Sequence, residues 1–335
     1  MFVPVLSSDG KPLMPTKPSR ARRLLVAGKA KSFFSHGVFC IRLTTRPDGD
    51  TQPIAVGVDP GSKREAYTVK SESHTFLNVL SDAVTWVKDA IESKRNARRS
   101  RRQRKTPCRA NRINRKRGGL PPSTKARWQL KLNVCKWLAK LFPVSAFVVE
   151  DVKAVARKGN GDNWNANFSP LAAGKKWLYE NLWKLGRVEL KSGFETFELR
   201  EQHGLKKSGN KLAKAFSAHN VDSWVLANQY VGGHVKPDNK ALLLLTPIQL
   251  HRRQLHVFQF SKGGIRRSYG GTRSMGFKRG SLARHPKFGL TYVGGTSNNR
   301  ISLHSIETGK RLTQSARPEQ TSFVCYSSWR TRNDK

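Results

Sequence analysis

The sequence predicts an α/β domain carrying long insertions, followed by a separate β-rich region. Three observations lead to it. Short apolar runs separated by turn residues read as successive strands in the first quarter of the chain. Helical periodicity then alternates with a buried-type apolar run at 144–152. From about Ala241 the pattern changes to brief apolar or aromatic runs punctuated by glycine: ALLLLT, LHVFQF, LTYVGG, RISLHS and FVCYSSW.

Taken in order, GVFCIRLTT (37–45), IAVGVD (54–59), AYTVKS (66–71) and TFLNVL (75–80) are the expected strands. A helix is expected from DAVTWVKDAIES, where Val84, Val87 and Ile91 recur at helical spacing beside Ala83 and Ala90. It runs on into Lys94–Arg117, which holds 13 Lys or Arg in 24 residues, and Pro107 ends or kinks it. Past Ala90 basic residues occupy every face, which a helix packed on a core does not tolerate; the expected surroundings are phosphate. A localisation signal or a disordered basic arm is the plainer reading of such a run. Its place between two patterned β segments argues against a tail. Arg outnumbers Lys ten to three there, which favours bidentate phosphate contact and stacking on bases.

Downstream, 123–142 reads as a helix with Trp128, Leu132, Cys135, Leu138 and Phe142 on one face. VSAFVVEDV (144–152) reads as a buried strand, and 175–186 and 217–232 as two further helices.

Charge narrows the function. The 335 residues carry 63 Lys plus Arg against 22 Asp plus Glu, a formal net charge of +41. Such self-repulsion calls for a polyanionic partner, and nucleic acid is the default one. Most ordinary metabolic enzymes are thereby excluded. Cys40, Cys108, Cys135 and Cys325 contain no C-x-x-C pair, so a zinc ribbon and a disulfide framework are not expected, and free thiols fit a reducing cytosol. With no signal-peptide pattern and no long apolar run, a soluble, non-secreted protein with no membrane partner is expected.

The acids are absent from two long stretches, between Glu92 and Glu150 and between Asp238 and Glu307. Against that background three acids stand out. Asp59 closes an apolar strand before Pro60-Gly61-Ser62, although Asp-Pro-Gly is also a common turn. Glu150 closes another, with a structural ion pair as its alternative; strand alternation sends Glu150 and Asp151 to opposite faces, and Glu150 is the choice for a shared site with Asp59. His219 and Asp222 form H-x-x-D at a helix start, where a first-turn acid and a capping histidine are the plainer roles. Together, a carboxylate on a first strand, another on a later strand and H-x-x-D at a helix start are the ligand pattern of an RNase H-like nuclease working with two divalent ions. His219 is the candidate for moving the attacking water's proton.

These motifs resemble the IscB and IsrB proteins, transposon-encoded relatives of the CRISPR effector nucleases that carry RuvC and HNH domains. The matching residues are Pro12-Leu13-Met14-Pro15, GVDPGSK (57–63), the arginine-rich helix, FVVEDV (147–152) and HNVDSW (219–224). The resemblance implies an RNase H-like (RuvC) domain split by an arginine-rich bridge helix, with an N-terminal PLMP segment and a β-rich C-terminal domain. The implied boundaries are PLMP 1–53, RuvC 54–92, bridge helix and linker 93–122, RuvC 123–158, linker and helical segment 159–210, RuvC 211–240 and the C-terminal domain 241–335. An HNH nuclease has no room: the 66 residues between Asp151 and Ala218 hold a single histidine, His203. The chain is therefore similar to IsrB, which implies a monomeric protein in a cytoplasmic, nucleoid-associated prokaryotic ribonucleoprotein. It implies nicking of the displaced strand of duplex DNA that bears a short flanking motif, addressed by an ωRNA guide. Asp59, Glu150 and Asp222 are the implied ligands of two Mg2+ ions, or Mn2+, with His219 transferring the proton.

The expected nucleic-acid contacts are Arg95, Arg98, Arg99, Arg101, Arg102, Arg104, Lys105, Arg109, Arg112, Arg115, Arg266 and Arg267. Tyr269, Phe277, Phe288 and Tyr292 are candidates for base stacking, with core packing the competing role for at least half of them. Two other functions compete: a guide-free, resolvase-like nuclease, which leaves the arginine rod unexplained, and a basic RNA-binding scaffold, which leaves the carboxylates coincidental.

Overall fold

The structure is a computed structural model and describes residues 2–103, 120–152, 169–249, 258–259, 264–265 and 273–334. An N-terminal sheet comes first: β1 (Val3–Leu6), β2 (Pro12–Thr16), helix α1 (Pro18–Val26), β3 (Ala30–Ser35) and β4 (Val38–Leu43), in the order β2-β1-β4-β3. The Pro12–Pro15 segment is thus most of a strand, paired antiparallel to β1.

The central sheet uses β5 (Ile54–Asp59), β6 (Arg64–Ser71) and β7 (Thr75–Asp82), then α2 (Trp86–Gln103), α3 (Pro122–Leu141), β8 (Val144–Asp151), α4 (Pro170–Leu182), β9 (Arg187–Ser192), α5 (Gly193–Gln202) and α6 (Asn220–Val231). β5 pairs antiparallel with β6 and parallel with β8, and β8 pairs parallel with β9. β5 is buried on both faces, which is why it reads as a continuous apolar run rather than an alternating one.

Its two faces nonetheless differ. Ile54, Val56 and Val58 join Phe147 and Val149 of β8 in a core shared with Trp128, Leu132, Cys135 and Leu138 of α3 and Leu178 and Leu182 of α4. By alternation Ala55, Gly57 and Asp59 face the other side, where α6 packs. Gly57 lies directly beneath it: a Cβ there would overlap the Ser223 carbonyl oxygen. Gly57→Ala is therefore expected to push α6 off the sheet, lowering stability by about 1–3 kcal/mol or more, measurable as a lower thermal midpoint.

The helix expected from residue 82 begins later. Asp82 ends β7, with its carboxylate taking Arg64 Nη1 at 2.9 Å and the Thr246 hydroxyl at 2.9 Å, and the Ala83 amide donates to the Lys63 carbonyl. The chain is not helical there, so Ala83 and Val84 are buried ahead of α2 rather than on it. Helix α3 also departs from the one-faced expectation, because Leu130, Val134, Trp137 and Leu141 are buried as well. It has neighbours on two sides, contacting β1, β2 and α4 and donating from Trp137 Nε1 to Ser35 at 3.1 Å.

The C-terminal region comprises β10 (Leu242–Pro247), two short ribbons of β11 (Phe258–Gln259) with β12 (Gly264–Ile265) and β13 (Arg273–Ser274) with β14 (Phe277–Lys278), and then β15 (Ser281–His285), β16 (Gly289–Ser297), β17 (Arg300–Ser305), β18 (Arg311–Ala316), β19 (Ser322–Tyr326) and β20 (Trp329–Asn333). Here the expected grouping needs a correction. β10 pairs parallel with β7 and β20 pairs antiparallel with β10, so both extend the central sheet, whose order is β20-β10-β7-β6-β5-β8-β9. Only β15 to β19 form the separate five-stranded sheet, around Ala283, Val293, Ile301 and Leu303.

Strand β20 also ties the ends of the chain together. The His36 ring stacks on Trp329 with centroids 4.2 Å apart, and Thr331 Oγ1 donates to the His36 carbonyl at 2.7 Å. Burial, helped by the Lys140 charge, pushes His36 down to about 4, so it stacks as a neutral ring. Among the described residues no helix is long and apolar enough to cross a membrane.

Candidate metal centre

Three elements deliver the three carboxylates. Asp59 is the last residue of β5, and its turn is fixed by the Gly61 amide donating to the Asp59 carbonyl at 3.0 Å. Gly61 is required there because a Cβ would overlap the Arg64 carbonyl oxygen. Beneath the turn, the buried Lys131 of α3 reaches Glu65 Oε1 at 2.6 Å, and Tyr67 donates to Glu65 Oε2 at 2.8 Å. This closed network satisfies a charge pair that would otherwise be costly so deep in the protein.

Glu150 is the penultimate residue of β8, next to β5, and, like Asp59, faces α6. Asp151 takes the opposite face, as alternation requires, and its Oδ1 accepts from Lys175 and from the Tyr179 hydroxyl, each at 2.8 Å. Burial, with Asp151 second, holds the Tyr179 phenol above its ordinary range.

Asp222 lies in the first turn of α6, and the residues around it explain the HNVDSW run. Asn220 Nδ2 donates to the carbonyls of Tyr67 (3.1 Å) and Val79 (3.2 Å), Ser223 Oγ lies 2.8 Å from Thr68 Oγ1, and Trp224 Nε1 donates to Thr75 Oγ1 at 3.0 Å. These bonds fix the rotation of α6 on the sheet, and Asp222 points at the other two acids. Ligand atoms of Asp59, Glu150 and Asp222 all lie within 4.8 Å of one another.

The electrostatics follow from that crowding. Burial, then the charges of Glu150 and Asp222, hold the Asp59 carboxyl well above its ordinary range, and Lys207 opposes them. Burial, then Asp222, raises Glu150 too, while its hydrogen bond with Asp59 pulls the other way. Three convergent hard oxygen donors, crowded enough to raise the pKa of two of them, fit divalent cations.

Two residues of this site escaped sequence reasoning. Arg200 Nη1 of α5 donates to Asp222 Oδ1 at 2.7 Å, and Lys207 Nζ bonds Oδ2. Both fall in the segment 159–210, read from sequence as linker and helical segment. Ser192-Gly-Phe-Glu195 could have revealed α5, since it is a capping box whose reciprocal bonds are both present.

His219 occupies the N-cap position of α6 without a side-chain capping bond, and its Nε2 donates to the Lys211 carbonyl at 3.1 Å, a carbonyl being able only to accept. Burial above all, with Lys207 and Arg64 adding, lowers its basicity, so the ring is neutral at pH 7 with Nδ1 as the basic atom.

Of the expected nucleic-acid contacts, Arg95, Arg98, Arg99 and Arg102 are exposed on α2, and Arg101 lies on the same helix. Arg104, Lys105, Arg109, Arg112, Arg115, Arg266 and Arg267 lie outside the described residues, as does Tyr269. The remaining stacking candidates are packed instead: Phe277 and Phe288 lie against the core of the five-stranded sheet and Tyr292 is buried beside Leu282.

Residues 3–164 match the family described as RRXRR protein. That range holds Asp59, Glu150 and Arg98-Arg99-Ser100-Arg101-Arg102, which spells the family's name, whereas Asp222 lies beyond it. None of the curated proteins compared with the chain matches it. Among solved structures, the chain is similar to T. thermophilus RuvC in complex with a Holliday junction substrate, at 11% identity and a TM-score of 0.30, covering 54% of this chain and 98% of that one. The yeast mitochondrial Holliday junction resolvase Ydc2 is similar at 14% identity and a TM-score of 0.28, with coverage of 55% and 80%. A CRISPR-Cas12f ternary complex is similar at 16% identity and a TM-score of 0.31, with coverage of 64% of this chain and 49% of that one.

Proposed function

We propose that the chain is a metal-dependent DNA endonuclease with an RNase H-like, RuvC-type centre, addressed by a guide RNA and nicking the displaced strand, as in IsrB. The observation that carries this reading is the convergence of Asp59, Glu150 and Asp222 from two strand ends and a helix start. The exposed arginines of α2 and the net charge of +41 support a structured nucleic-acid partner.

In this reading Asp59, Glu150 and Asp222 hold two divalent ions. Such a pair, when bound, supplies water activation and stabilises the leaving oxygen in an in-line displacement. The protein's own residues do the rest. Gly57 lets α6 approach, Asn220 and Ser223 set its rotation, and Arg200 keeps the Asp222 carboxylate in one orientation. The His219 Nδ1, neutral at pH 7, takes the proton from the attacking water.

One set of ligands aligns one phosphodiester at a time, so a single strand is cut in a given bound pose. A duplex labelled separately on each strand, incubated with protein, guide RNA and magnesium, is expected to show cutting of the displaced strand alone. Efficient cutting of the guide-paired strand, or equal cutting of both, would contradict the assignment.

A further inference from the structure

Helix α5 touches the carboxylate cluster at both ends. At its start, a Cβ on Gly193 would lie 3.1 Å from Glu150 Oε1, and the Ser192–Glu195 capping box fixes that first turn. Near its end, Arg200 bonds Asp222. Between these anchors two large aromatic side chains face solvent: Phe194 is 69% exposed and Phe197 is 47% exposed. Leaving a phenylalanine in water forgoes burial worth about 1.5–3 kcal/mol, so two on one short helix beside a candidate active centre call for an occupant.

The surroundings indicate which occupant. The Arg200 guanidinium lies 5.5 Å from the Phe197 ring centre, so the cation that holds Asp222 also borders the aromatic surface. The connection from α5 to α6 presents Lys206, Lys207, Lys211 and Lys214 to solvent, and no acid occurs between Glu201 and Asp222. Aromatic faces bordered by cations fit unpaired bases on a phosphate backbone. A duplex offers no free base faces to such rings, because its bases are already stacked on one another.

We propose that Phe194 and Phe197 form a base-stacking platform that seats single-stranded DNA at the Asp59, Glu150 and Asp222 centre. The two rings, three residues apart, are neighbours on the helix and serve nucleotides flanking the phosphate to be cut. This inference rests on the nuclease reading and adds the residues that seat the displaced strand.

The test uses the full chain in chelator, so that nothing is cut, and a short single-stranded oligodeoxynucleotide whose adenines are replaced by 2-aminopurine. Moderate salt suppresses purely electrostatic binding. Stacking quenches the probe; Phe194→Ala and Phe197→Ala are expected to weaken the quenched complex roughly 5- to 150-fold each. Tryptophan at either position retains quenching, whereas leucine, which keeps the apolar bulk without a π face, behaves like alanine. Because both positions are exposed, unchanged circular dichroism and melting are expected throughout. Quenching that survives the double alanine variant, or is fully restored by leucine, overturns the platform. The readout involves no scission, so the platform fails or stands separately from the nuclease reading.

Discussion

Asp59→Ala and Glu150→Ala are each expected to lower strand scission by at least about a thousandfold, since several kcal/mol of transition-state charge stabilisation depends on these ligands. RNA and DNA binding should stay near the wild-type level, because neither acid contributes to an attractive field for phosphate. Asp59→Asn carries a second signature. Its folded-state carboxyl is held high by burial and by Glu150 and Asp222, so ionising it opposes the metal-free fold. The stability conferred by its protonated form is therefore present at low pH and is lost as pH rises through the raised value. Asparagine removes that loss, and the metal-free variant should melt higher than wild type at neutral pH. Asp222 differs, because its truncation strands the nearly buried Arg200 and releases Lys207. Asp222→Ala should cost about 3 kcal/mol or more of stability, which makes Asp222→Asn the cleaner variant for activity. Retained cutting by Asp59→Ala would remove the centre from the mechanism.

Replacing Arg98, Arg99, Arg101 and Arg102 together by Gln is expected to give the largest change in RNA binding. Helix α2 begins against the core through Trp86 and Val87 and then presents its basic length to solvent. No Asp or Glu occurs from 93 to 149 to offset that charge. Each lost phosphate contact removes roughly 0.7 to 0.9 from the slope of log affinity against log salt, so four lost contacts flatten it by about 3. Affinity should fall most at low salt. An unchanged slope from filter binding across a salt series would refute α2 as the RNA-holding element.

Much of the central sheet was legible in the sequence, for identifiable reasons. β5 reads correctly because a strand buried on both faces is a continuous apolar run bounded by turn residues, and the Glu150-against-Asp151 choice follows from a strand period of two. The N-terminal strands β1 to β3 were not read, because VPVL and PLMPT are short and interrupted by proline, and AKSFFS lacks a continuous apolar run. β10 and β20 carry ordinary strand patterns, but which sheet a strand joins depends on pairing across more than 80 residues of chain, which a local pattern does not encode. The three carboxylates were found because acids are scarce here and sit at element ends. Arg200 and Lys207 were not, because among 63 basic residues no local signal marks the two that bond Asp222.

A calorimetric titration of the metal-free full chain with Mn2+ tests the central claim, that these three acids form a divalent-metal centre. Two ions are expected to bind, with protons released because Asp59 and Glu150 are held above their ordinary range, so affinity rises with pH until both are ionised. Asp59→Asn should lose this binding while keeping its fold. Equal binding by wild type and by the Asp59→Asn, Glu150→Gln double variant, or no binding by wild type, would contradict the account.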